Sequence, residues 1–283
     1  MRDGLREAGF GFKDISQIIV THIHPDHYGL TGRVKQLSGA KLAVHRIEAD
    51  LIHSRYVNLD GLLGDMARQL RYGGVPQNDL PQFRGASLWM KQFVAPAAPE
   101  VRLSGGEKLS NGTFEFEVLW TPGHSPGHIC LYEPKRKLLF SGDHILPNIT
   151  SHVGLHPQSG ENPLGDFITS MRAIEKLEVN FVFPGHGAVF SGLKQRIGEL
   201  LYHYRERKMT IIKSVSDELK TAYQIATEIL WRPESGGVPF QELELWDKRL
   251  AVMETLAYLQ LLMTEGKVGK VVEDDTVLYW AGG

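Results

Sequence analysis

The sequence predicts an α+β fold in which strands and helices share one core and four strands deliver their following loops to a common edge. Three features predict it. Four short apolar runs read as buried strands, each followed at once by histidine or aspartate; the segments between them have helical spacing; and the last third ends in helices and a hairpin.

Ile18-Ile19-Val20 forms the first run and leads into Thr21-His22-Ile23-His24-Pro25-Asp26-His27. Thr31 to Leu37, Glu48 to His53 and Asp60 to Arg71 follow as helices. Residues 54–99 carry Tyr56, Tyr72, Phe83, Trp89, Met90 and Phe93 among Gly and Pro, too irregular for one long helix. They are expected to form a helical insertion near the site, either a substrate-shaping lid or a packing excursion. Phe114 to Trp120 alternates like a half-buried strand before Thr121-Pro122-Gly123-His124. After a turn at Pro134 to Lys137, Leu138-Leu139-Phe140 delivers Ser141-Gly142-Asp143-His144. A helix from Asp166 to Leu177, with Asp166 as its expected N-cap, precedes Phe181-Val182-Phe183 and the loop Pro184-Gly185-His186-Gly187. Arg196 to Ser214 reads as a helix that bridges to a smaller unit. Helices at Lys220 to Trp231 and Leu245 to Thr264 lead, past the break at Gly266, to a hairpin of Lys270-Val271-Val272 and Thr276 to Tyr279. Helix, helix, hairpin is the order of a winged-helix module. The expected organisation is therefore a domain over 1–204 holding every ligand candidate and a helical, winged-helix-like domain over 205–283.

Composition narrows the function classes. Hydrophobic residues make up 42% and charged residues 23% of the 283, near the average of folded water-soluble proteins. With 31 basic and 33 acidic residues the formal charge is -2, without the positive field that nucleic-acid binding exploits. The single cysteine, Cys130, lies in an apolar stretch, excludes an intrachain disulfide and reads as a buried strand residue. Met1 to Glu7 lack the apolar core of a signal peptide, and no run approaches the roughly 20 apolar residues that span a bilayer. The expectation is a cytoplasmic protein without membrane contact.

The chemistry is concentrated in the strand-end loops. A lone histidine is ordinarily structural or merely exposed, whereas His22, His24 and His27 with Asp26 crowd one short loop, where imidazoles repel on protonation unless a metal or hydrogen bonds compensate. His22 and His24, two residues apart, can point the same way, and Asp26 and His27 can serve a second ion. His124 and His186 would each complete one set, and the two oxygens of Asp143 suit a bridge. Imidazole and carboxylate donors favour zinc, with manganese or iron also accommodated. Two divalent ions about 3.5–4 Å apart would share a bridging hydroxide and polarise the group it attacks.

The motifs Thr21-His22-Ile23-His24-Pro25-Asp26-His27-Tyr28-Gly29, Thr121-Pro122-Gly123-His124, Ser141-Gly142-Asp143 and Pro184-Gly185-His186-Gly187 resemble, in order and spacing, the successive metal motifs of the metallo-β-lactamase-fold hydrolases. The resemblance covers roughly residues 10–190 and implies an αββα sandwich with a dinuclear site at one edge. It implies a first ion held by His22, His24 and His124, a second held by Asp26, His27 and His186, and Asp143 as the bridging ligand. An aspartate at 143 resembles the glyoxalase II, tRNase Z and lactamase-beta-2-like branches rather than true β-lactamases. The C-terminal helices and hairpin are similar to the extension of the lactamase-beta-2-like proteins, some of which cleave single-stranded RNA.

The chain departs from that pattern at its start, where only about 20 residues precede His22 and the family's opening strands are missing. A sheet edge left unpaired there would suit a homodimer. Asp26 is the candidate for orienting the attacking water or passing its proton. His128 and His144, beside ligand motifs, are candidates to orient ligands, bind substrate or donate a proton to a leaving group, with an orienting role preferred and His144 the better functional candidate; His152 and His156 are weaker candidates, and His45, His53 and His203 are expected to be non-catalytic. The leading expectation is hydrolysis of an ester, thioester or related bond in a small-molecule substrate. The alternatives are metal-dependent cleavage of RNA or another phosphodiester, and a binding module that retains metal without turnover. Arg205, Arg207, Lys208 and Lys213 read as a solvated helix face, which argues against an RNA platform.

Overall fold

The computed structural model describes residues 1–83, 92–232 and 235–282. After a short first helix, α1 (Arg2–Glu7), two sheets lie face to face between helical layers. The smaller has the order β1 (Gln17–Val20), β2 (Lys41–His45), β3 (Val101–Leu103), all parallel. Parallel neighbours need a crossover, and the one from β1 to β2 runs through α2 (Pro25–Tyr28) and α3 (Thr31–Ser38). In β2, Leu42, Ala43 and Val44 are all fully buried, as expected of a strand covered on both faces.

The larger sheet runs β4 (Lys108–Ser110), β5 (Glu115–Trp120), β6 (Ile129–Glu133), β7 (Leu138–Gly142), β8 (Phe181–Pro184), antiparallel except for the parallel β7–β8 pair. Successive side chains leave a strand on opposite faces. Ile129 therefore packs with Ala43, Leu103 and Val118 between the sheets, while Cys130 joins Leu139 and Val182 under the outer helices. Both faces of β6 are apolar because both are covered.

On the outside of the small sheet, Ile52 of α4 (Arg46–Ile52) and Tyr56 pack on Val20, Leu42 and Val44. Helix α5 (Leu59–Tyr72) follows. The large sheet is covered by α6 (Pro163–Ile174), α7 (Leu193–Ser214) and, past α8 (Ala222–Glu228), by α9 (Leu245–Thr264). Helix α9 has Ala251, Val252, Leu256, Leu259 and Leu262 all buried, on more than one face, as in a helix enclosed by other elements. One continuous core thus runs from Cys130 and Leu139 through Met171 and Ile197 to Leu259 and Val268. The expected division at 204/205 falls inside α7, which is unbroken from 193 to 214.

Several expectations need correction. Asn162, not Asp166, caps α6, accepting from Gly165 N at 3.2 Å, because Pro163 occupies the first helical position and sets the start three residues earlier. Lys220 to Trp231 is not one helix. Only α8 is helical there, with Thr221 and Gln224 forming a capping box at its start. Its flanks are β9 (Lys220–Thr221), which pairs with β13 (Thr276–Ala281), and β10 (Leu230–Trp231), which pairs with β11 (Val238–Pro239). β13 also pairs with β12 (Val268–Glu273) as the expected hairpin. Arg207 does not belong to a solvated face: it is 8% exposed, its guanidinium lies 4.9 Å from the Trp231 ring, and Nη1 donates to Leu230 O at 2.8 Å. The 54–99 segment is helical in its first part, with a π-helical turn over His53–Val57 and then α5; Trp89 and Met90 lie outside the described residues. β1 lies at a sheet edge and pairs only with β2 among the described residues.

Candidate metal centre

The strands converge on one end of the sandwich. His22 and His24 leave β1 and lie just before the short helix α2, which contributes Asp26 and His27. His124 stands in the β5–β6 connection, Asp143 directly after β7, and His186 two residues after β8. Gly123 (φ 137°) permits the turn: a Cβ there would stand 2.3 Å from Phe167 Cβ of α6.

Two groups of ligand atoms result. His22 Nε2, His24 Nδ1 and His124 Nε2 lie 2.8 to 3.1 Å from one another. Three such nitrogens cannot satisfy each other by hydrogen bonding, since one proton shared by a pair leaves the remaining contact as lone pair against lone pair. A tetrahedral zinc at about 2.0–2.1 Å from its nitrogens separates them by roughly 3.3–3.4 Å, a few tenths more than observed, so the triangle fits a cation. Burial holds His22 and His24 well below the ordinary imidazole value, aided by the charge of neighbouring imidazoles, and takes His124 down to about 4. Neutral rings keep their lone pairs available for a metal.

The second group is Asp26, His27, Asp143 and His186. His186 Nε2 is 3.0 Å from Asp26 Oδ2 and 3.3 Å from His27 Nε2, and His27 Nε2 is 3.1 Å from Asp143 Oδ1. Burial lowers the His27 value, but the hydrogen bond to Asp143 and the charges of Asp143 and Asp26 outweigh it, so the net shift is upward. Burial likewise raises Asp143, and its hydrogen bond from His27 with the charges of His124, His27 and His186 carries the net shift downward. This corner favours positive charge. Asp143 Oδ2 is 3.6 Å from His124 Nε2 and 3.5 Å from His186 Nε2, which places that oxygen between the groups. The donors present fit two divalent ions.

A surrounding layer fixes these side chains. His124 Nδ1 lies 2.8 Å from His152 O and 3.0 Å from Ser151 Oγ, so it donates to the carbonyl and leaves Nε2 free. His128 Nδ1 contacts Thr121 Oγ1 at 2.8 Å, and its Nε2 accepts from Asp143 N at 3.2 Å, which holds the Asp143 backbone. Gly185 allows β8 to approach: a Cβ there would stand 2.3 Å from Asp143 Oδ1 and 2.7 Å from His27 Cε1.

His144 is not brought to the site. Its ring is fully buried, packs 4.6 Å from the Phe167 ring and is driven down to about 3 by burial. It does not line the cavity that opens on the donor groups, and its contact with Phe167 is one of packing. Cys130 is equally inert, its thiol pushed up to about 12 by burial. Of the other histidines, His45 caps α4 by accepting from Ile47 N at 3.4 Å and stacks on Trp120.

Glu48 escaped the sequence reading. It is fully buried, and its carboxylate accepts from Ile23 N at 2.9 Å, Gly127 N at 2.8 Å and Ser125 Oγ, tying the His22–His24 loop to the His124 loop. A single Glu in an amphipathic helix resembles a solvated residue, and only the third dimension places it between two loops. The cavity lining was also missed. A cavity of about 670 Å³ opens on His24, Asp26, His124 and Asp143 and extends between α5 and α9, with His152 and His156 on its wall.

Residues 1–186 match the family model described as the metallo-beta-lactamase superfamily. The chain is 24% identical over 290 residues to a probable metallo-hydrolase, YqjP, of Bacillus subtilis (strain 168), with 99% of this chain and 84% of that protein covered. It is 30% identical over 191 residues to a human acyl-coenzyme A thioesterase, covering 66% of this chain and 60% of that protein. A metallo-beta-lactamase family protein from Thermus thermophilus superposes with a TM-score of 0.80 at 28% identity, covering 99% of this chain and 84% of that one.

Proposed function

This chain belongs to the metallo-beta-lactamase superfamily, and on that premise we propose that it hydrolyses an acyl ester or thioester with the help of two bound divalent ions, zinc being the best match to the donors. The observation that carries the reading is the pair of ligand groups joined at Asp143 and opening on a largely apolar cavity. The human relative named as an acyl-coenzyme A thioesterase supports the thioester class.

His22, His24 and His124 would hold one ion, Asp26, His27 and His186 the other, and Asp143 both. Bound there, the ions would make water nucleophilic near neutral pH and polarise the acyl carbonyl. Asp26 borders the cavity and its side chain is half exposed, so a carboxylate oxygen can take the proton that the attacking water loses. As the new carbon–oxygen bond forms, the carbon–sulfur or carbon–oxygen bond of the substrate breaks. The departing sulfur or oxygen takes up that proton, and the acyl part leaves as a carboxylic acid, which gives its own proton to solvent. His152 O and Ser151 hold His124 in one tautomer throughout, and His128 holds the Asp143 backbone.

Elemental analysis followed by a panel of chromogenic esters, thioesters, lactones, phosphodiesters and cephalosporins, with and without chelator, tests the reading. Ester or thioester turnover should vanish with chelator and return with zinc, and Asp26→Ala or His24→Ala should lower kcat/KM by about 10²–10⁴. Bound metal with no turnover of any ester or thioester would refute it.

A further inference from the structure

We propose that the cavity contains an oxyanion subsite built from Arg55 and Arg249, so that the substrate presents both an apolar chain and a carboxylate or phosphate group. The inference rests on the acyl hydrolase reading for the chemistry, but on separate residues for the recognition.

The apolar half of the cavity comes from two helices. Leu59, Leu62, Leu63 and Met66 recur on one face of α5 at the spacing of successive turns, and Leu250 and Met253 face them from α9. Such a slot suits an alkyl or aryl chain. Two guanidinium groups border the same space. Arg249 is 4% exposed, lies 4.0 Å over the Trp246 ring, and donates from Nη1 to Phe83 O at 3.3 Å. Arg55 sits on the π-helical turn between α4 and α5, a backbone form found often at functional sites, and its buried Nη1 has no hydrogen-bond partner among the described residues.

The only carboxylates among the described lining residues, Asp26 and Asp143, belong to the metal-ligand group. Arg55 and Arg249 border one cavity, where burial first, then the charge of Arg55, brings Arg249 down to about 10. Among the described residues, Arg55 keeps a buried donor without a hydrogen-bond partner at this cavity, and a planar fork of donors matches a carboxylate or phosphate.

The test uses the zinc-loaded protein and nitrophenyl esters of equal chain length ending in a methyl, a carboxylate or a phosphate group, at several lengths. An anion-ended ester should be preferred by about tenfold or more in kcat/KM at one length, and Arg55→Gln and Arg249→Met should each collapse that ratio toward one. The carboxylate and phosphate series distinguish the two oxyanions. Calorimetric binding of octanoate and octanol to chelator-treated protein is the second readout, with octanoate bound about tenfold more tightly and the difference lost in Arg55→Gln. Equal use of methyl-ended and anion-ended esters, or a preference that survives Arg55→Gln, overturns the proposal. If Arg249→Met fails to fold, Arg55→Gln decides alone. If no ester is turned over but octanoate binding still depends on Arg55, the hydrolase reading falls and the subsite stands.

Discussion

Replacing Glu48 with alanine removes one acceptor group that serves three donors in two loops. In the folded protein its carboxylate takes Ile23 N at 2.9 Å, Gly127 N at 2.8 Å and the Ser125 hydroxyl, with the side chain fully buried. Glu48→Ala leaves two buried backbone N–H groups without a partner, at about 1–3 kcal/mol each, while the serine hydroxyl can rotate to another acceptor. The expected loss is therefore about 2–6 kcal/mol, a large share of a typical folding free energy, and a water entering the void moves it toward the lower bound. Glu48→Gln keeps one accepting oxygen but turns an NH₂ toward one of the N–H donors, so it should cost about 1–3 kcal/mol. Because Ile23 lies between His22 and His24, and Gly127 three residues beyond His124, the same substitutions should weaken zinc binding by about 10–100-fold. Urea unfolding of chelator-treated protein gives the first quantity, and competition against a zinc-binding dye gives the second. A Glu48→Ala protein within about 1 kcal/mol of the parent and with zinc affinity within about threefold would refute the strap.

Two further substitutions probe the same architecture. Gly185→Ala would place a methyl 2.3 Å from Asp143 Oδ1 and 2.7 Å from His27 Cε1, so both ligands must move; about a 10–100-fold loss of affinity at the second ion, with little change in the urea midpoint, is expected in metal titrations. For pH, burial drives His144 from an ordinary 6.5 to about 3, so the unfolded chain takes the proton first. Its contribution to stability is complete above pH 6.5 and is lost as pH falls from there toward 3, by about 1.4 kcal/mol per unit. The urea-unfolding free energy of chelator-treated parent should therefore fall relative to that of His144→Phe between pH 6.5 and about 4.5, and a difference that stays constant with pH would contradict the assignment.

Much of the site is legible in one dimension because its ligands sit in short loops directly after apolar strands. A strand ends where its apolar run ends, and the next residues have nowhere to go but the sheet edge, so Ile18 to Val20 announces His22 and Phe181 to Phe183 announces His186. The histidine crowding in residues 22–27 adds a chemical signal that no packing argument absorbs. His144 shows the limit of that logic. Adjacent to Asp143 in sequence, it turns away into the core against Phe167, because neighbouring side chains point in different directions.

The four strands that precede the donor loops, the buried Cys130 and the candidate donor residues were determined by the sequence alone, since apolar runs and donor chemistry are local properties, whereas the short strands β2, β3 and β4 carry no donor loop and escaped it. How close the two donor groups lie, that Asp143 lies between them, that Glu48 joins two loops, and that Arg55 and Arg249 face one cavity were decided by tertiary structure. Those relations join residues as far apart in the chain as Arg55 and Arg249, and no periodicity or composition encodes a distance across a folded core.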